Sequence, residues 1–384
     1  MYQGVWDVDW PGCRTGATIA MTTFNIEPRG CNGVTRIIPV GLASYGLSGR
    51  VFHAPLLATH AGLRLAAVVE RHADAARLRY PLVRRHLSID AMLADDDLEL
   101  VVVNTPDATH FELTRRSLEA GKHVVVEKPF TGQVDRARDL VELAARRGRI
   151  LTVFQNRRWD GDFLTVQQVI ASGVLGRIVE FEARWDRFRP IVNTASWKEQ
   201  AEAGSGVLTN LGSHLIDQAL MLFGWPNAIT ADLDIVRDGA LVDDWMDLRL
   251  HYERLRVTLR CSTVAQQSAP RYVIHGTTGS FVKHGLDPQE AALAEGTSPD
   301  DPAWGADTPA RFGTLTRTDH DASTQQVPTI PGRYQTFYDG VYAAVTVDAP
   351  PPVTTAQAMR NVRLLEAARR SAATRSTISL EGNA

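Results

Sequence analysis

Short apolar runs that alternate with amphipathic stretches constrain the first 157 residues more than any other feature. The run at 98–103 is apolar almost throughout, which is typical of a strand buried on both faces of a parallel sheet. Residues 135–146 place apolar side chains on one helical face. Because the alternation of strands and helices favours right-handed crossovers, we predict a parallel α/β sheet. Its five predicted strands are 37–42, 63–69, 98–103, 123–126 and 150–154.

Beyond residue 157 the pattern changes to longer, partly alternating runs with few helices between them. Such runs favour an open, mainly antiparallel sheet. The Pro- and Gly-rich stretch 287–308 predicts a surface excursion, and Thr354 with Gln357 resembles a capping box that opens a final helix. The predicted strands of this part are 177–185, 245–252, 255–263 and 272–282.

The chain is therefore predicted to have three parts. Residues 1–33 lack periodicity and are predicted to be a flexible N-terminal extension, with Met21 as an alternative start. Residues 34–156 form the parallel-sheet domain, and residues 157–384 form a second α/β domain with the C-terminal helix.

Composition excludes several classes of protein. A formal net charge of −3 gives no basis for binding nucleic acid or an anionic membrane, and no apolar run reaches the ~18 residues of a membrane span. The three cysteines lack CxxC spacing, which argues against disulfides and thiolate zinc sites, and no other metal site is expected. With no secretory signal pattern either, we expect a cytoplasmic protein.

A glycine-rich loop follows the first predicted strand and has the frame GxGxxG with serine in the first position. In that motif, glycines allow the backbone to approach a pyrophosphate, and amide groups at a helix N-terminus face the phosphates. An ordinary strand-to-helix turn is the alternative interpretation. The residues predicted to contact a dinucleotide here are Ser44, Tyr45, Gly46, Leu47, Ser48 and Gly49.

The end of the second predicted strand carries two neighbours that favour different cofactors. Glu70 lies 21 residues beyond Gly49, where a carboxylate would bind the ribose hydroxyls of NAD. Arg71 follows directly and could bind the 2′-phosphate of NADP as a guanidinium fork. Both cofactors stay open, with a slight preference for NAD.

A series of further motifs accompanies this loop, so that the set occupies 46–55, 105–110, 127–129, 155–160, 186–190, 204–217, 275–281 and 332–334. In order and spacing these motifs resemble the glucose–fructose oxidoreductase and inositol dehydrogenase family (Gfo/Idh/MocA). Within that family the chain looks most similar to scyllo-inositol and related polyol dehydrogenases. The resemblance covers about nine-tenths of the chain and implies a Rossmann domain followed by an α/β domain built on a large open sheet, whose face commonly mediates dimer or tetramer assembly.

The resemblance also implies the roles of individual residues. Lys128 would contact the nicotinamide ribose and stabilise alkoxide charge on the substrate, and His214 would act as general acid and base with an unperturbed pKa of about 6.5. Thr105, Pro106, His110 and Glu127 would line the cofactor. The residues implied on the substrate side, where a polyol or sugar would bind, are Arg157, Trp159, Asp160, Arg187, Asn210, Asp217 and Tyr334.

Three residues depart from the family pattern close to this chemistry. Ser44 replaces the first glycine of the loop, where its Cβ is expected either to strain the turn or to crowd the cofactor. Asn210 stands where the family usually has aspartate, and so removes a negative charge. Pro39 lies inside a strand that is normally central and deletes a ladder donor. Together they predict slow or redirected turnover.

Three functions remain compatible with the sequence. The first is reversible oxidation of a secondary hydroxyl of a cyclitol, sugar or sugar derivative. The second is a redox-neutral, NAD-dependent glycosidase or lyase, in which the cofactor is restored in each cycle. The third is a non-catalytic regulator that binds a dinucleotide, which the presence of Lys128 and His214 argues against.

Overall fold

Six parallel strands form the first sheet of this computed structural model, which describes residues 36–201, 205–317 and 323–380. The predicted extension 1–33 lies outside the described residues. In chain order the strands are β1 (Ile38–Leu42), β2 (Leu63–Val69), β3 (Arg84–His86), β4 (Leu100–Val103), β5 (His123–Val126) and β6 (Leu151–Val153). Their spatial order is β3-β2-β1-β4-β5-β6, so it reverses between β1 and β4, where open α/β sheets bind ligands.

Helices connect these strands and explain the amphipathic stretches. The predicted helix 135–146 is confirmed as Val134–Arg147; it buries Leu140 against the sheet and ends at Gly148, whose φ of 60° suits a helix C-terminus. β4 is fully buried, as its apolar run predicts. The helices of this part are α1 (Ala54–Ala58), α2 (Ala75–Arg79), α3 (Ile89–Leu93), α4 (His110–Glu119) and α5 (Val134–Arg147).

Pro39 is accommodated at the edge of a ladder even though β1 is a central strand. Pairing between β1 and β4 begins only at Val40, opposite Leu100. The Pro39 carbonyl still accepts a hydrogen bond from the Glu99 amide at 3.1 Å. Pro39 therefore lacks its amide donor at a position that precedes the regular pairing of β1 with β4, where the missing hydrogen bond disturbs the sheet little.

The second sheet has nine strands, and all but one of its neighbouring pairs are antiparallel. The predicted strand 272–282 is wrong as one element, because the chain turns at 277–278 and pairs with itself. The predicted excursion 287–308 contains a short helix, Gln289–Glu295. The strands are β7 (Ile178–Asp186), β8 (Ala228–Asp234), β9 (Trp245–His251), β10 (Arg256–Ser262), β11 (Tyr272–Gly276), β12 (Gly279–Lys283), β13 (Gly313–Arg317), β14 (Ser323–Val327) and β15 (Ile378–Ser379).

The C-terminal helices pack against both sheets. Phe337 and Val341 join the core of the first sheet, and the last helix contributes Val362 to that core and Leu365 to the other. The predicted capping box at Thr354 is confirmed. None of the helices in the described ranges is long and apolar enough to cross a bilayer. The helices of this part are α6 (Gly161–Ala171), α7 (Ser213–Phe223), α8 (Gln289–Glu295), α9 (Gln335–Thr346) and α10 (Thr355–Thr374).

Candidate active site

The glycine-rich loop joins β1 to a π-helical turn, Gly49–His53. Asn104, at the end of β4, fixes the start of the loop: the Ser44 amide donates to its Oδ1 at 3.0 Å, and its Nδ2 donates to the Ser44 carbonyl at 2.8 Å. A Cβ on Gly49 would lie 2.4 Å from that carbonyl oxygen and 2.7 Å from Asn104 Nδ2. Glycine is therefore required at position 49, as in loops that hold a dinucleotide against a helix N-terminus.

Serine at position 44 fits the loop without the expected strain. Among the described non-glycine residues only Asp348 and Arg375 have positive φ, so the Ser44 backbone is ordinary. Its Oγ accepts a hydrogen bond from the Gly46 amide at 3.1 Å. The hydroxyl thus engages a donor that the glycine motif would offer to a phosphate. Around it, Gly46 and Leu47 are exposed at the tip of the loop, whereas Tyr45 is buried beneath it.

Glu70 and Arg71 differ in what they have free to offer a cofactor. The Glu70 carboxylate accepts the amides of Ala75 and Ala76 at 3.2 and 3.1 Å, and thereby binds the first turn of α2. The Arg71 side chain is exposed, and within the described part of the chain it forms no ion pair or hydrogen bond. Ribose binding by Glu70 would compete with its contacts to α2.

His110 connects the two loops that follow β4 and β5. Its buried ring lies with Nδ1 3.0 Å from the Pro129 carbonyl oxygen and Nε2 2.9 Å from that of Thr105. Pro106 precedes a single 3₁₀ turn, Asp107–Thr109, that leads into α4. Because both ring nitrogens face backbone carbonyl oxygens, to one of which a neutral ring can donate, neither nitrogen is left to bind a cofactor.

Glu127 is the centre of a polar cluster beneath the glycine-rich loop. Its Oε1 accepts a hydrogen bond from the Ser48 hydroxyl and lies 3.0 Å from His53 Nε2, while its Oε2 accepts the Lys128 amide at 3.1 Å. The opposite ring nitrogen of His53 lies 2.7 Å from the Tyr338 hydroxyl. Burial opposes ionisation of Glu127, but the hydrogen bonds from His53 and Ser48 outweigh burial and lower its pKa to about 2.

Lys128 follows β5 and reaches across to the second part of the chain. Its ammonium donates to the backbone oxygen of Asn210 at 2.8 Å and to the Asn210 Oδ1 at 3.1 Å. Burial, followed by the positive charge of Lys198, lowers the pKa of Lys128 to about 8. A proton can therefore leave or join this nitrogen close to neutral pH.

His214 lies one turn after Asn210, at the start of α7. Its ring packs 5.7 Å from the Trp185 ring, and its buried Nδ1 has no hydrogen-bond partner among the described residues. Burial, assisted by the charges of Lys128 and Arg157, lowers its pKa well below the ordinary value. The expectation of an unperturbed imidazole is therefore wrong: this histidine is neutral at neutral pH.

Arg157, Asp160 and Tyr334 meet in one buried network. Arg157 donates to the Tyr334 hydroxyl at 2.6 Å, and that hydroxyl donates to Asp160 Oδ1 at 2.7 Å. The other terminal nitrogen of Arg157 donates to Glu290, which α8 supplies. Burial raises the pKa values of Tyr334 and Asp160 well above their usual ranges. Sequence patterns did not single out Glu290, because it lies in the stretch predicted to be an irregular excursion.

Asp217 has a structural partner that sequence patterns did not indicate. Both of its oxygens accept hydrogen bonds of 2.7 Å from Arg158, and the two side chains are buried. This bidentate pair leaves Asp217 engaged within the protein, in contrast to the implied contact with substrate. Trp159 packs edge-on against Phe337 at 5.8 Å and is partly buried against the first core.

Trp185 organises the cationic wall of the site, although sequence patterns did not identify it. The charged ends of Arg157, Arg187 and Arg271 lie 4.9, 5.6 and 4.9 Å from its ring centroid. Its position in an alternating strand predicts only a core side chain. The site thus combines an ammonium of lowered pKa, a neutral imidazole and several guanidinium groups at the edge where β1, β4 and β5 end.

Comparison with known proteins identifies both parts of the chain. Residues 37–155 match the NAD-binding Rossmann fold of the GFO_IDH_MocA oxidoreductase family, and residues 167–380 match the C-terminal alpha/beta domain of the same family. The predicted fold class, with its parallel Rossmann sheet and mainly antiparallel second sheet, is confirmed.

Several relatives match over nearly their whole length. The oxidoreductase YdgJ of Escherichia coli is 41% identical over 89% of this chain and 99% of its own. The scyllo-inositol 2-dehydrogenase (NADP(+)) IolW of Bacillus subtilis is 38% identical over 90% of this chain and 96% of its own. The crystal structure of the oxidoreductase YvaA from Bacillus subtilis covers 91% of this chain and 100% of its own, with 37% identity and a TM-score of 0.88.

Proposed function

This chain belongs to the Gfo/Idh/MocA oxidoreductase family, and on that premise we propose that it reversibly oxidises a secondary alcohol of a cyclitol, sugar or sugar derivative. The observation that carries the proposal is the Lys128 ammonium, fixed by Asn210 one turn before His214. A relative named as a scyllo-inositol dehydrogenase supports this substrate class.

The proposed chemistry needs a proton acceptor beside the reacting hydroxyl. A bound nicotinamide would supply the acceptor for the hydride of the alcohol carbon. The neutral amine of Lys128 takes the hydroxyl proton as the carbonyl forms, and in the reverse direction its ammonium returns that proton. His214, held neutral by burial, hydrogen-bonds the same oxygen and orients the ring of the substrate.

We further propose that NADP is the preferred cofactor. The Glu70 carboxylate accepts hydrogen bonds from two amides of α2, whereas the Arg71 side chain is exposed and has no partner in the described ranges. A guanidinium fork suits a 2′-phosphate, and a relative whose name includes NADP(+) agrees with this choice. The proposal of NADP replaces the slight preference for NAD, which is based on the spacing between Gly49 and Glu70.

Titration of the purified protein with each cofactor, followed by turnover of a polyol and sugar panel, tests the proposal. We expect NADP(+) to bind about tenfold more tightly than NAD(+), and Arg71→Gln to abolish that difference. Arg64→Gln, which changes an exposed arginine paired with Asp97, is the matched control. Binding without any net cofactor reduction would favour the redox-neutral or regulatory alternatives.

Self-association is proposed through the uncovered face of the second sheet. On β7, Phe181, Ala183 and Trp185 point into the core, and the alternate residues form a polar face. On that face Arg260 donates to Asp247 at 2.6 Å on the neighbouring strand. A second copy of the chain is the proposed partner, giving a homodimer or homotetramer. Light scattering would contradict this if the protein stays monomeric at micromolar concentration.

A further inference from the structure

We propose that the substrate of this site carries a carboxylate, which Arg187 binds beside the carbon that faces Lys128 and His214. The inference rests on the proposed function and narrows its substrate class to acidic sugars or cyclitols. It is carried by charges that the protein leaves uncompensated around the candidate active site.

The first uncompensated charge is the ammonium of Lys128. Within the described ranges its hydrogen-bond acceptors are two neutral oxygens of Asn210, at 2.8 and 3.1 Å. Asparagine keeps the hydrogen bond that an aspartate would form but supplies no charge. The charges of Asp107 and Glu127 raise the pKa of Lys128, but among the described residues neither carboxylate accepts a hydrogen bond from its ammonium, and Glu127 accepts one from the Lys128 backbone amide.

The second uncompensated charge is the guanidinium of Arg187. Three arginines surround the Trp185 ring, and two of them have acidic partners: Arg157 pairs with Glu290, and Arg271 lies 3.4 Å from Asp162. Arg187 packs 5.6 Å from the same ring centroid, but among the described residues it forms no ion pair. Burial, assisted by the charge of Arg189, lowers the pKa of Arg187, although the charge of Glu290 acts in the opposite direction.

The other charged groups around the site form no ion pair with Lys128 or Arg187 among the described residues. Lys198, in the turn Trp197–Glu199, adds a further cation whose charge lowers the pKa of Lys128. Glu290 accepts a hydrogen bond from Arg157, and burial raises the pKa of the Asp107 carboxyl. A ligand that brings one negative charge would therefore be favoured.

A carboxylate matches the free groups better than a neutral hydroxyl does. The planar guanidinium of Arg187 can donate two parallel hydrogen bonds to a carboxylate. Its stacking on Trp185, which also contacts His214, directs such a group toward the catalytic pair. A neutral polyol would leave the half-buried Arg187 guanidinium without an ion-pair partner among the described residues.

The test compares matched substrates on the NADP(+)-loaded enzyme: glucose against glucuronate, and galactose against galacturonate, with glucose 6-phosphate as a further anion. Turnover gives kcat and KM, and calorimetry with the NADPH-loaded enzyme gives binding even where no turnover occurs. We expect a uronate to have a KM and a Kd about tenfold below those of its neutral partner.

Two substitutions and a control variant test whether Arg187 and the charge at position 210 determine the affinity for uronates. Arg187→Gln should remove about tenfold of the uronate affinity with little change for the neutral sugar, and Asn210→Asp should weaken uronate binding through added negative charge. Arg254→Gln, an exposed arginine in the β9–β10 turn, should change neither. Cofactor affinity of every variant serves as the check on folding.

The outcomes separate this inference from the proposed function. If neutral sugars bind and react better than both uronates, the proposal of a substrate carboxylate is wrong, and the proposed dehydrogenase activity still stands. Tighter binding of glucose 6-phosphate than of the uronates would lead to the same conclusion. Failure of every uronate to bind would also overturn the proposal of a substrate carboxylate. If a uronate binds in an Arg187-dependent way but no cofactor is reduced, the carboxylate-binding role of Arg187 is supported and the proposed dehydrogenase activity is contradicted.

Discussion

The Lys128 ammonium is held 2.8 Å from the backbone oxygen of Asn210 and 3.1 Å from its side-chain Oδ1. This contact joins the end of β5 in the first sheet to the turn that precedes α7. It brings the lysine close enough to His214 for its charge to lower the histidine's pKa. Proton exchange with a substrate is thereby concentrated on Lys128, whose pKa is about 8.

The pH dependence of the reaction follows from that assignment. Alcohol oxidation needs the neutral amine of Lys128, so its kcat/KM should rise with pH until about 8 and then level off. Carbonyl reduction needs the ammonium and should fall above about 8. An inflection near the ordinary histidine value of about 6.5, in either direction, would contradict a neutral His214. Initial rates over that pH range provide the measurement.

Gly49→Ala should abolish tight cofactor binding. The new Cβ would stand 2.4 Å from the Ser44 carbonyl oxygen, so the glycine-rich loop must move. We expect the Kd for NADP(+) to rise about a hundredfold in a fluorescence titration. Gly132→Ala places a Cβ where nothing lies within 4 Å and is the control. Equal affinities of the two variants would refute the importance of the loop geometry.

His53→Ala should destabilise the protein more than Tyr338→Phe does. Removing the imidazole takes one hydrogen-bond partner from the Glu127 carboxylate, which keeps Ser48 and the Lys128 amide, and also takes the His53 partner from the Tyr338 hydroxyl, with an expected loss of about 3 kcal/mol. Tyr338→Phe removes a single hydrogen bond and should cost about 1 kcal/mol. Urea unfolding measures both. Similar losses for the two variants would mean that His53 does not stabilise the Glu127 charge.

Asp217→Asn tests whether this carboxylate serves the fold or the substrate. The substitution breaks a bidentate buried pair with Arg158, so unfolding free energy should fall by about 3 kcal/mol. Asp135→Asn, which alters an exposed pair with Arg138, should change it by less than about 1 kcal/mol. KM should stay constant in both variants. A large rise in KM for Asp217→Asn would indicate that Asp217 contacts the substrate, as the resemblance implies.

Local patterns predict the first sheet well because its signals are contained within each segment. β5 has the predicted bounds, since four residues with an apolar core stand between turn signals. The turn at 277–278 was missed because two threonines, which favour strands, occupy it. The C-terminal helices return to the first core, a contact between distant segments that no periodicity can indicate.

The residues of the candidate site likewise differ in how far the sequence alone could identify them. Lys128 and His214 stand in motifs that resemblance identifies, whereas Trp185 and Glu290 reach the site from a strand and a helix far apart in the chain. His53 lies inside a matched motif, yet its role depends on Glu127, 74 residues away. Burial also decides the pKa of His214, which its sequence neighbours do not reveal.

Cofactor reduction by wild-type protein and by Lys128→Met tests the central claim most directly. With NADP(+) and a panel of polyols, sugars and uronates, the absorbance of reduced cofactor should rise for the wild type. At saturating NADP(+), Lys128→Met should react at least about a hundredfold more slowly than the wild type. A Lys128→Met variant that matches wild-type rates would contradict the account, as would a wild-type protein that binds NADP(+) and reduces none of it.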